Sequence, residues 1–255
     1  MTSPPPLSSE YFDAWYAAME RSSLKDAVMQ RYLGLPEHLV VNSTVPWPGL
    51  DDLERHLRLP VGGRLLDLAC GRGRIGQELA TRTDARLVGV DFSPEALRQA
   101  AAHARAVGCD ATYAVGDLLA TGQPDSAFDT VLVVDSIQFA SSTVDALREV
   151  RRVLREGGRV VLTGWEARSR GDEQVPARLR DLDLDESLRG AGFVDVVVET
   201  RDDWRAVELA MWAEAAALDP GDDPALVSFH EEGLRAVAAP DALRRVLASA
   251  TAPSA

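Results

Sequence analysis

Cysteine is scarce in this sequence, and long apolar runs are missing. The 255 residues include two cysteines, Cys70 and Cys109, too few for a disulfide framework and not spaced as zinc ligands. No run of about 18 apolar residues is present, so the sequence predicts no membrane span. The first residues carry neither the basic nor the apolar segment of an export signal. With no cluster of His, Asp and Glu to suggest a metal, these absences predict a metal-free cytoplasmic protein.

Positive charge is also in deficit. Lys and Arg number 27 against 40 Asp and Glu, which gives a net charge of -13. The chain therefore lacks the basic stripe that binds a phosphate backbone, and we expect no nucleic-acid partner. Small or cationic substrates fit this charge better, although acidity that only supports solubility explains it equally well.

What the sequence has in abundance is a regular alternation of buried strands with amphipathic helices. Apolar runs predict strands, and the segments between them have helical periodicity, as in residues 74–82, 93–108 and 143–158. The alternation predicts an α/β fold with a doubly wound, mostly parallel, seven-stranded sheet. The predicted strands are residues 63–69, 85–91, 111–117, 128–135, 159–166, 193–200 and 244–252.

Helical additions flank the predicted core. Residues 1–60 are predicted to form an N-terminal helical lid and an extended connector, and residues 61–255 the core. A helical insertion at about 202–240 separates the last two strands. Ligands bind outside the carboxyl ends of the strands of such sheets, so both additions are placed to shape a pocket. A packing role alone for the insertion stays open.

A glycine-rich segment follows the first strand. "GRGRIG", residues 71–76, matches the Gly-x-Gly-x-x-Gly fingerprint of dinucleotide-binding proteins, and Asp91 follows at about the expected spacing. In an NAD site the pyrophosphate would lie at the helix N-terminus. Asp67, four residues before Gly71, disfavours a diphosphate and suits a cationic ligand such as S-adenosylmethionine. Both cofactors remain candidates on this fingerprint.

Five segments in order extend the comparison beyond the glycines. "LLDLACGRGR", "LVGVDFSPEAL", "VGDL", "FDTVLVVDSIQFA" and "LREVRRVLREGGRVVLTGWE" together resemble the class I, Rossmann-like S-adenosylmethionine-dependent methyltransferases, particularly their bacterial small-molecule branch. The resemblance covers roughly residues 60–200. It implies S-adenosylmethionine as cofactor and methyl transfer to an N, O or C atom of a small molecule, as in secondary metabolism. A different reaction with the same cofactor, such as cyclisation, or an NAD-dependent oxidation remain the alternatives.

The resemblance also implies a cofactor site. The residues it assigns are Asp67, Ala69, Gly71 and Gly73 under the methionine, Asp91 on the ribose, Phe92 against the adenine, Asp117 and the Leu118 amide at the adenine edge, and the backbone of Asp135 and Ser136 at the methionyl ammonium. Ala69 departs from the glycine usual in the family, so the methionine end is expected slightly further from the strand.

Aromatic and amide side chains outside this set are candidates for the acceptor pocket. Tyr11 and Trp15 lie one turn apart on the first helix and share a face. Trp47 in the connector and Gln138 after the fourth strand complete the predicted acceptor contacts. His38 and His230 fit surface positions, and no catalytic base is predicted, because methyl transfer from a sulfonium depends mainly on positioning.

Overall fold

The structure, a computed structural model, describes residues 8–20 and 22–254. Its centre is one seven-stranded sheet with strand order β3-β2-β1-β4-β5-β7-β6. Neighbouring strands from β3 to β5 are parallel, and β7 is antiparallel to both of its neighbours. The predicted fold class is confirmed. The strands are β1 (Arg64–Leu68), β2 (Arg86–Asp91), β3 (Ala111–Val115), β4 (Phe128–Val134), β5 (Leu154–Ala167), β6 (Val194–Thr200) and β7 (Leu243–Thr251).

Helices precede the sheet, cover both of its faces and fill the predicted insertion between β6 and β7. Short 3-10 turns at Ile137–Phe139 and Ala177–Leu179 follow β4 and β5. The helices are α1 (Ser9–Met19), α2 (Ser23–Leu33), α3 (Trp47–Leu57), α4 (Arg74–Thr83), α5 (Pro94–Val107), α6 (Thr143–Val153), α7 (Leu184–Gly190), α8 (Asp202–Ala217) and α9 (Pro224–Ala238).

Local sequence signals explain most of these bounds. Ser93 caps α5, because its hydroxyl accepts from the amide of Ala96 at 3.1 Å, and Pro94 needs no amide partner in the first turn. Gly108 ends the same helix in a left-handed conformation with φ of 70°. Such caps fix where the chain enters and leaves each helix beside the sheet.

Two predicted bounds are wrong. The helix predicted over 143–158 ends at Val153, and Leu154 already pairs with Phe128 of β4. The β4–β5 register shifts after that pair, and Gly157 there has a left-handed φ of 69°. The extended connector that the sequence predicts within residues 1–60 is the segment "VNSTVPWPG", residues 41–49. It is also too long, since α3 begins at Trp47 and accommodates Pro48 in its first turn.

The N-terminal helices divide into two kinds. Val28, Met29 and Leu33 of α2 are buried in one core cluster with residues of β1 and α8. α2 is therefore part of the core, although the sequence assigns it to the N-terminal lid. α1 instead packs on α5 and α9 at the edge of the crevice. Of the two helices, α1 is the one that fits a lid. The sequence predicts an irregular tract over residues 2–9; residues 2–7 lie outside the described residues, and Ser8 and Ser9 instead cap and begin α1.

The described part of the chain has neither a membrane-spanning helix nor a cluster of metal-binding side chains. None of its helices has the length and apolar character needed to cross a bilayer. The same residues contain no group of three or more His, Cys, Asp or Glu side chains arranged to hold a metal ion.

Candidate functional site

A cavity of about 870 Å³ opens at the carboxyl ends of the parallel strands. The strand order reverses between β1 and β4, and ligands of open α/β sheets bind at such a switch point. The volume lies within the range typical of small-molecule sites. Its wall is built by the loops after β1, β2, β3, β4 and β5 and by helices α1, α2, α8 and α9.

The glycine loop follows β1 and bends through left-handed conformations. Gly71 and Gly73 have φ of 52° and 69°, and Ala69 has φ of 56° without being glycine. A side chain at Gly71 would meet the Tyr16 hydroxyl at 2.6 Å, so this position requires glycine for a second reason. Ala69 occupies a conformation that favours glycine, which accounts for the usual glycine of the family at this position.

Asp67 lies beneath this loop and is buried. A Cβ atom at Gly76 would lie 2.4 Å from its Oδ2 atom, so Gly76 lets α4 approach the carboxyl group. Burial, and then the charge of Asp91, raise the pKa of Asp67 to about 8. At neutral pH the carboxyl group is mostly protonated, so its predicted repulsion of a diphosphate is weaker than the sequence suggested.

Asp91 ends β2 and joins two loops. Its carboxylate accepts the amide of Gly71 at 2.8 Å and that of Ser93 at 2.9 Å, and it is 3% exposed. Burial raises the pKa of this carboxyl group, and the backbone hydrogen bonds oppose the shift. Asp91 thereby fixes the glycine loop against the start of α5.

Aromatic rings close the cavity next to Asp91. The rings of Phe92 and Phe12 are 5.2 Å apart, and Phe12 also contacts Phe139 at 5.9 Å. Ser9 donates to the carbonyl oxygen of Phe92 at 2.8 Å. The described conformation therefore has α1 packed over the residue predicted to contact adenine.

Asp117 and Leu118 follow β3 on the same side. The Asp117 carboxylate accepts the amides of Leu119 and Ala120 at 2.7 and 2.9 Å, within its own turn. Its side chain is exposed, whereas Leu118 is buried. Both residues line the cavity.

The loop after β4 contributes Asp135, Ser136 and Gln138. Asp135 has φ of 54°, and its carboxylate pairs with the buried Arg245, at 2.6 Å. Its carbonyl oxygen accepts from Gln138 Nε2 at 2.7 Å. Ser136 Oγ and Gln138 Oε1 are buried and have no partner among the described residues. Both residues line the cavity.

The predicted acceptor residues are not all brought together. Trp15 and Gln138 line the cavity, and the Trp15 indole donates to Ser228 of α9 at 3.3 Å. Tyr11 is 36% exposed and is not part of the lining, because Phe12 and Tyr16 form the inward face of α1. Trp47 packs beneath Arg82, 4.4 Å from its guanidinium, and also lies away from the cavity.

Sequence reasoning missed a polar group on the insertion. Glu208 of α8 is 2% exposed and accepts from the indoles of Trp165 and Trp212 at 2.9 and 3.1 Å. Arg205 pairs with its carboxylate at 3.1 Å. All four residues line the cavity. The spacing of Arg205, Glu208 and Trp212 on one helix face was the available signal.

Comparison with known proteins identifies the central part of the chain. Residues 65–158 match a family model described as a methyltransferase domain. These residues form a methyltransferase domain. The domain spans the first four strands of the sheet and contains the glycine loop, Asp91, Asp117 and the loop after β4.

Curated relatives carry methyltransferase names. The chain is 29% identical over 194 residues to 2-methyl-6-phytyl-1,4-hydroquinone methyltransferase of Synechocystis sp., covering 68% of this chain and 58% of that protein. It is 30% identical to 27-O-demethylrifamycin SV methyltransferase of Amycolatopsis mediterranei, covering 61% and 56%. The chain thus spans little more than half of the length of these two relatives.

A solved structure extends the likeness to the fold of nearly the whole chain. The crystal structure of the [4+2]-cyclase SpnF superposes with a TM-score of 0.71 over 99% of this chain and 98% of that one, at 21% identity. At this identity the likeness establishes the fold. It includes the N-terminal helices and the helical insertion, which lie outside the methyltransferase domain.

Proposed function

We propose that this protein transfers a methyl group from S-adenosylmethionine to a small-molecule acceptor. The observation that supports the proposal is that one cavity, formed by the methyltransferase domain together with the flanking helices, is lined by the entire predicted cofactor set. This set comes from four separate loops, so its convergence on one cavity does not follow from the glycine fingerprint alone. The names of the curated relatives support methyl transfer as the reaction.

The side chains present fit this cofactor. Ser136 Oγ and Gln138 Oε1 are buried acceptors without a partner among the described residues, and a methionyl ammonium has donors for both. Asp67 and Asp91 add acidic groups near the methionine and ribose positions. Bound S-adenosylmethionine would supply an electrophilic methyl group on a positively charged sulfur.

The protein itself contributes by positioning the acceptor and by keeping water out of the cavity. Methyl transfer requires the acceptor atom in line with the breaking bond, and holding two reactants in that geometry accounts for a large part of a rate enhancement. Phe12, Tyr16 and Trp165 give the cavity aromatic walls that exclude water. A dry site favours a step in which the sulfur loses its charge.

The rest of the cavity suggests the character of the acceptor. Its wall there is largely apolar, with Val175, Leu179 and Phe229 as examples, and its polar groups include Glu208 and Arg205. We therefore propose an acceptor with an apolar body and a few polar groups, such as a product of secondary metabolism. The names of the hydroquinone and rifamycin methyltransferases are consistent with this class. Cys70 and Cys109, both free, fit a reducing compartment such as the cytoplasm.

A cyclase that uses the same cofactor site is the second candidate. The fold is shared over its full length with a protein named as a [4+2]-cyclase. Incubation with S-adenosylmethionine and candidate acceptors separates the two reactions, because only methyl transfer produces S-adenosylhomocysteine in step with the methylated product.

Calorimetry tests the cofactor directly. S-adenosylhomocysteine is expected to bind at micromolar affinity or better, about -8 kcal/mol, whereas NADH does not bind. Asp91→Ala should weaken binding by about 2 to 4 kcal/mol, because a carboxylate forms strong hydrogen bonds to ribose hydroxyls. Asp145→Ala, at an exposed acid of α6, is the matched control. Tight binding of NADH without binding of S-adenosylhomocysteine would contradict the proposal.

A further inference from the structure

Three basic side chains lie together in the cavity wall beside the glycine loop. Lys25 of α2, Arg72 between the two loop glycines and Arg74 at the start of α4 all line the cavity. Lys25 and Arg72 are 3% and 6% exposed, and Arg74 is half-buried. Lys25 is the only lysine of a chain with a net charge of -13. This concentration of buried positive charge runs against the composition of the protein.

The charges of this group are only partly balanced by their neighbours. Asp26 contacts Lys25 at 2.7 Å and lies 3.8 Å from Arg72. The other partner of Arg72 is the neutral Asn42 oxygen, at 3.1 Å. Asp26 thus pairs with two of the three cations, Lys25 and Arg72, and Glu20 and Asp223 add attraction to the group. Burial is costly for a charge without a partner, so the group has a reason to attract a further anion.

Hydrogen-bond donors without a partner also favour binding of an anion at this group. Nε of Arg72 and both Nε and Nη1 of Arg74 are buried and have no partner among the described residues. Burial lowers the pKa of all three cations, to about 10 for Arg74, and attraction by Asp26 only partly offsets it. Arg74 also begins α4, whose amino-terminal end favours negative charge. Guanidinium donors beside a helix start match the geometry of a carboxylate or a phosphate.

We propose that Lys25, Arg72 and Arg74 form an anion site that binds a carboxylate or phosphate group of a small molecule in the cavity. Two sources supply such a group: the α-carboxylate of the cofactor, and an acidic group of the acceptor. The cofactor arm of the test rests on the proposed function. The phosphate arm does not.

The test measures three ligands by calorimetry on the wild type, Arg72→Gln and Arg74→Gln. S-adenosylhomocysteine carries the carboxylate, 5′-methylthioadenosine lacks the amino-acid end, and inorganic phosphate is added to protein with and without S-adenosylhomocysteine. Arg148→Gln, at an exposed arginine of α6, is the control with the same change of charge. Circular dichroism establishes that each variant is folded.

If the site binds the cofactor carboxylate, each cavity variant weakens S-adenosylhomocysteine about tenfold or more and leaves methylthioadenosine unchanged. If it binds an acceptor group, S-adenosylhomocysteine is unaffected, and phosphate binding to the cofactor-loaded wild type is lost in the variants. In either case, Arg74→Lys, which keeps the positive charge, should lose less binding than Arg74→Gln.

Two results would overturn the anion site. One is unchanged binding of both S-adenosylhomocysteine and phosphate in the variants. The other is an equal loss of S-adenosylhomocysteine and methylthioadenosine, which would show that the arginines only support the glycine loop. A wild type that binds neither nucleoside would instead defeat the proposed function, and phosphate binding would still decide the anion site.

Discussion

At the scale of single residues, the positions fixed by backbone geometry were those that the sequence could predict. Gly71 and Gly73 form left-handed bends, and Asp91 fixes the loop that contains them. These roles depend on neighbours within about twenty residues, so a motif records them. Whether Tyr11 and Trp47 face the cavity depended instead on how their helices are rotated and packed. The spacing of aromatic residues in the sequence did not determine this.

Asp67 leads to a prediction about protons. Burial raises the pKa of this carboxyl group from an ordinary 3.8 to about 8 in the ligand-free fold, so the folded protein holds this proton at pH 7. A sulfonium and an ammonium bound nearby favour the ionised carboxylate and lower its pKa. Binding of S-adenosylmethionine at pH 7 should therefore release close to one proton, about 0.9 if the carboxylate becomes fully ionised.

Calorimetry in buffers of different ionisation enthalpy counts this proton. The release should fall to near zero at pH 9, where Asp67 is already ionised, and Asp67→Asn should abolish it at pH 7. Without ligand, the raised pKa makes Asp67 reduce stability progressively as the pH rises from about 4 to about 8, and Asp67→Asn should remove that part of the pH dependence. Equal proton release by wild type and variant would refute this assignment.

At the scale of elements, the sequence predicted which segments form strands and helices better than where they end. The last residues of the helix predicted over 143–158 belong to β5 instead. Leu154 pairs with β4, and the amide of Gly157 donates to the carbonyl oxygen of Ala252, just after β7. Those partners lie far away in the chain. The contact between Trp165 and Glu208, 43 residues apart, was missed for the same reason.

α1 is the element that should respond to ligand. It docks through Asp13, whose carboxylate accepts from Ser93 and from the amide of Glu95, and through the ring of Phe12 against Phe92. It also bonds to Phe92 through Ser9 and to α9 through Trp15. Because the two core clusters of the described residues contain side chains of α2 but none of α1, α1 should open more easily than α2. We expect hydrogen exchange in residues 9–19 to slow when S-adenosylhomocysteine binds, because lids belong to the less stable parts of a fold.

Asp13→Ala should raise the hydrogen exchange of α1 in the free protein and reduce the protection that bound ligand gives to this helix. Glu10→Gln, at an exposed position of the same helix, should change neither quantity. Exchange of the buried residues of α2 serves as the internal reference. Exchange of α1 that is the same with and without ligand would contradict its role as a lid.

At the scale of the whole molecule, the cavity depends on segments from both ends of the chain. Its wall includes Trp15 of α1 and Phe229 of α9, and an indole-to-hydroxyl hydrogen bond joins these two helices. The core cluster likewise combines residues of α2, β1 and α8. A division at residue 60 into lid and core therefore describes the order of the sequence rather than two independently stable units.

A thermal melt tests this unity. We expect one cooperative transition that moves as a whole when S-adenosylhomocysteine is added, because every wall of the cavity is lost when the fold is lost. At a ligand concentration of one hundred times Kd the stabilisation is about 2.7 kcal/mol. For a chain of this size that amounts to a rise in Tm of roughly 5 to 11 °C.

Two variants control this measurement. Asp145→Ala, remote from the cavity, should show the same rise in Tm, and Asp91→Ala a much smaller one at the same ligand concentration. Two separate transitions, with only one of them shifted by ligand, would mean that the flanking helices unfold independently of the methyltransferase domain.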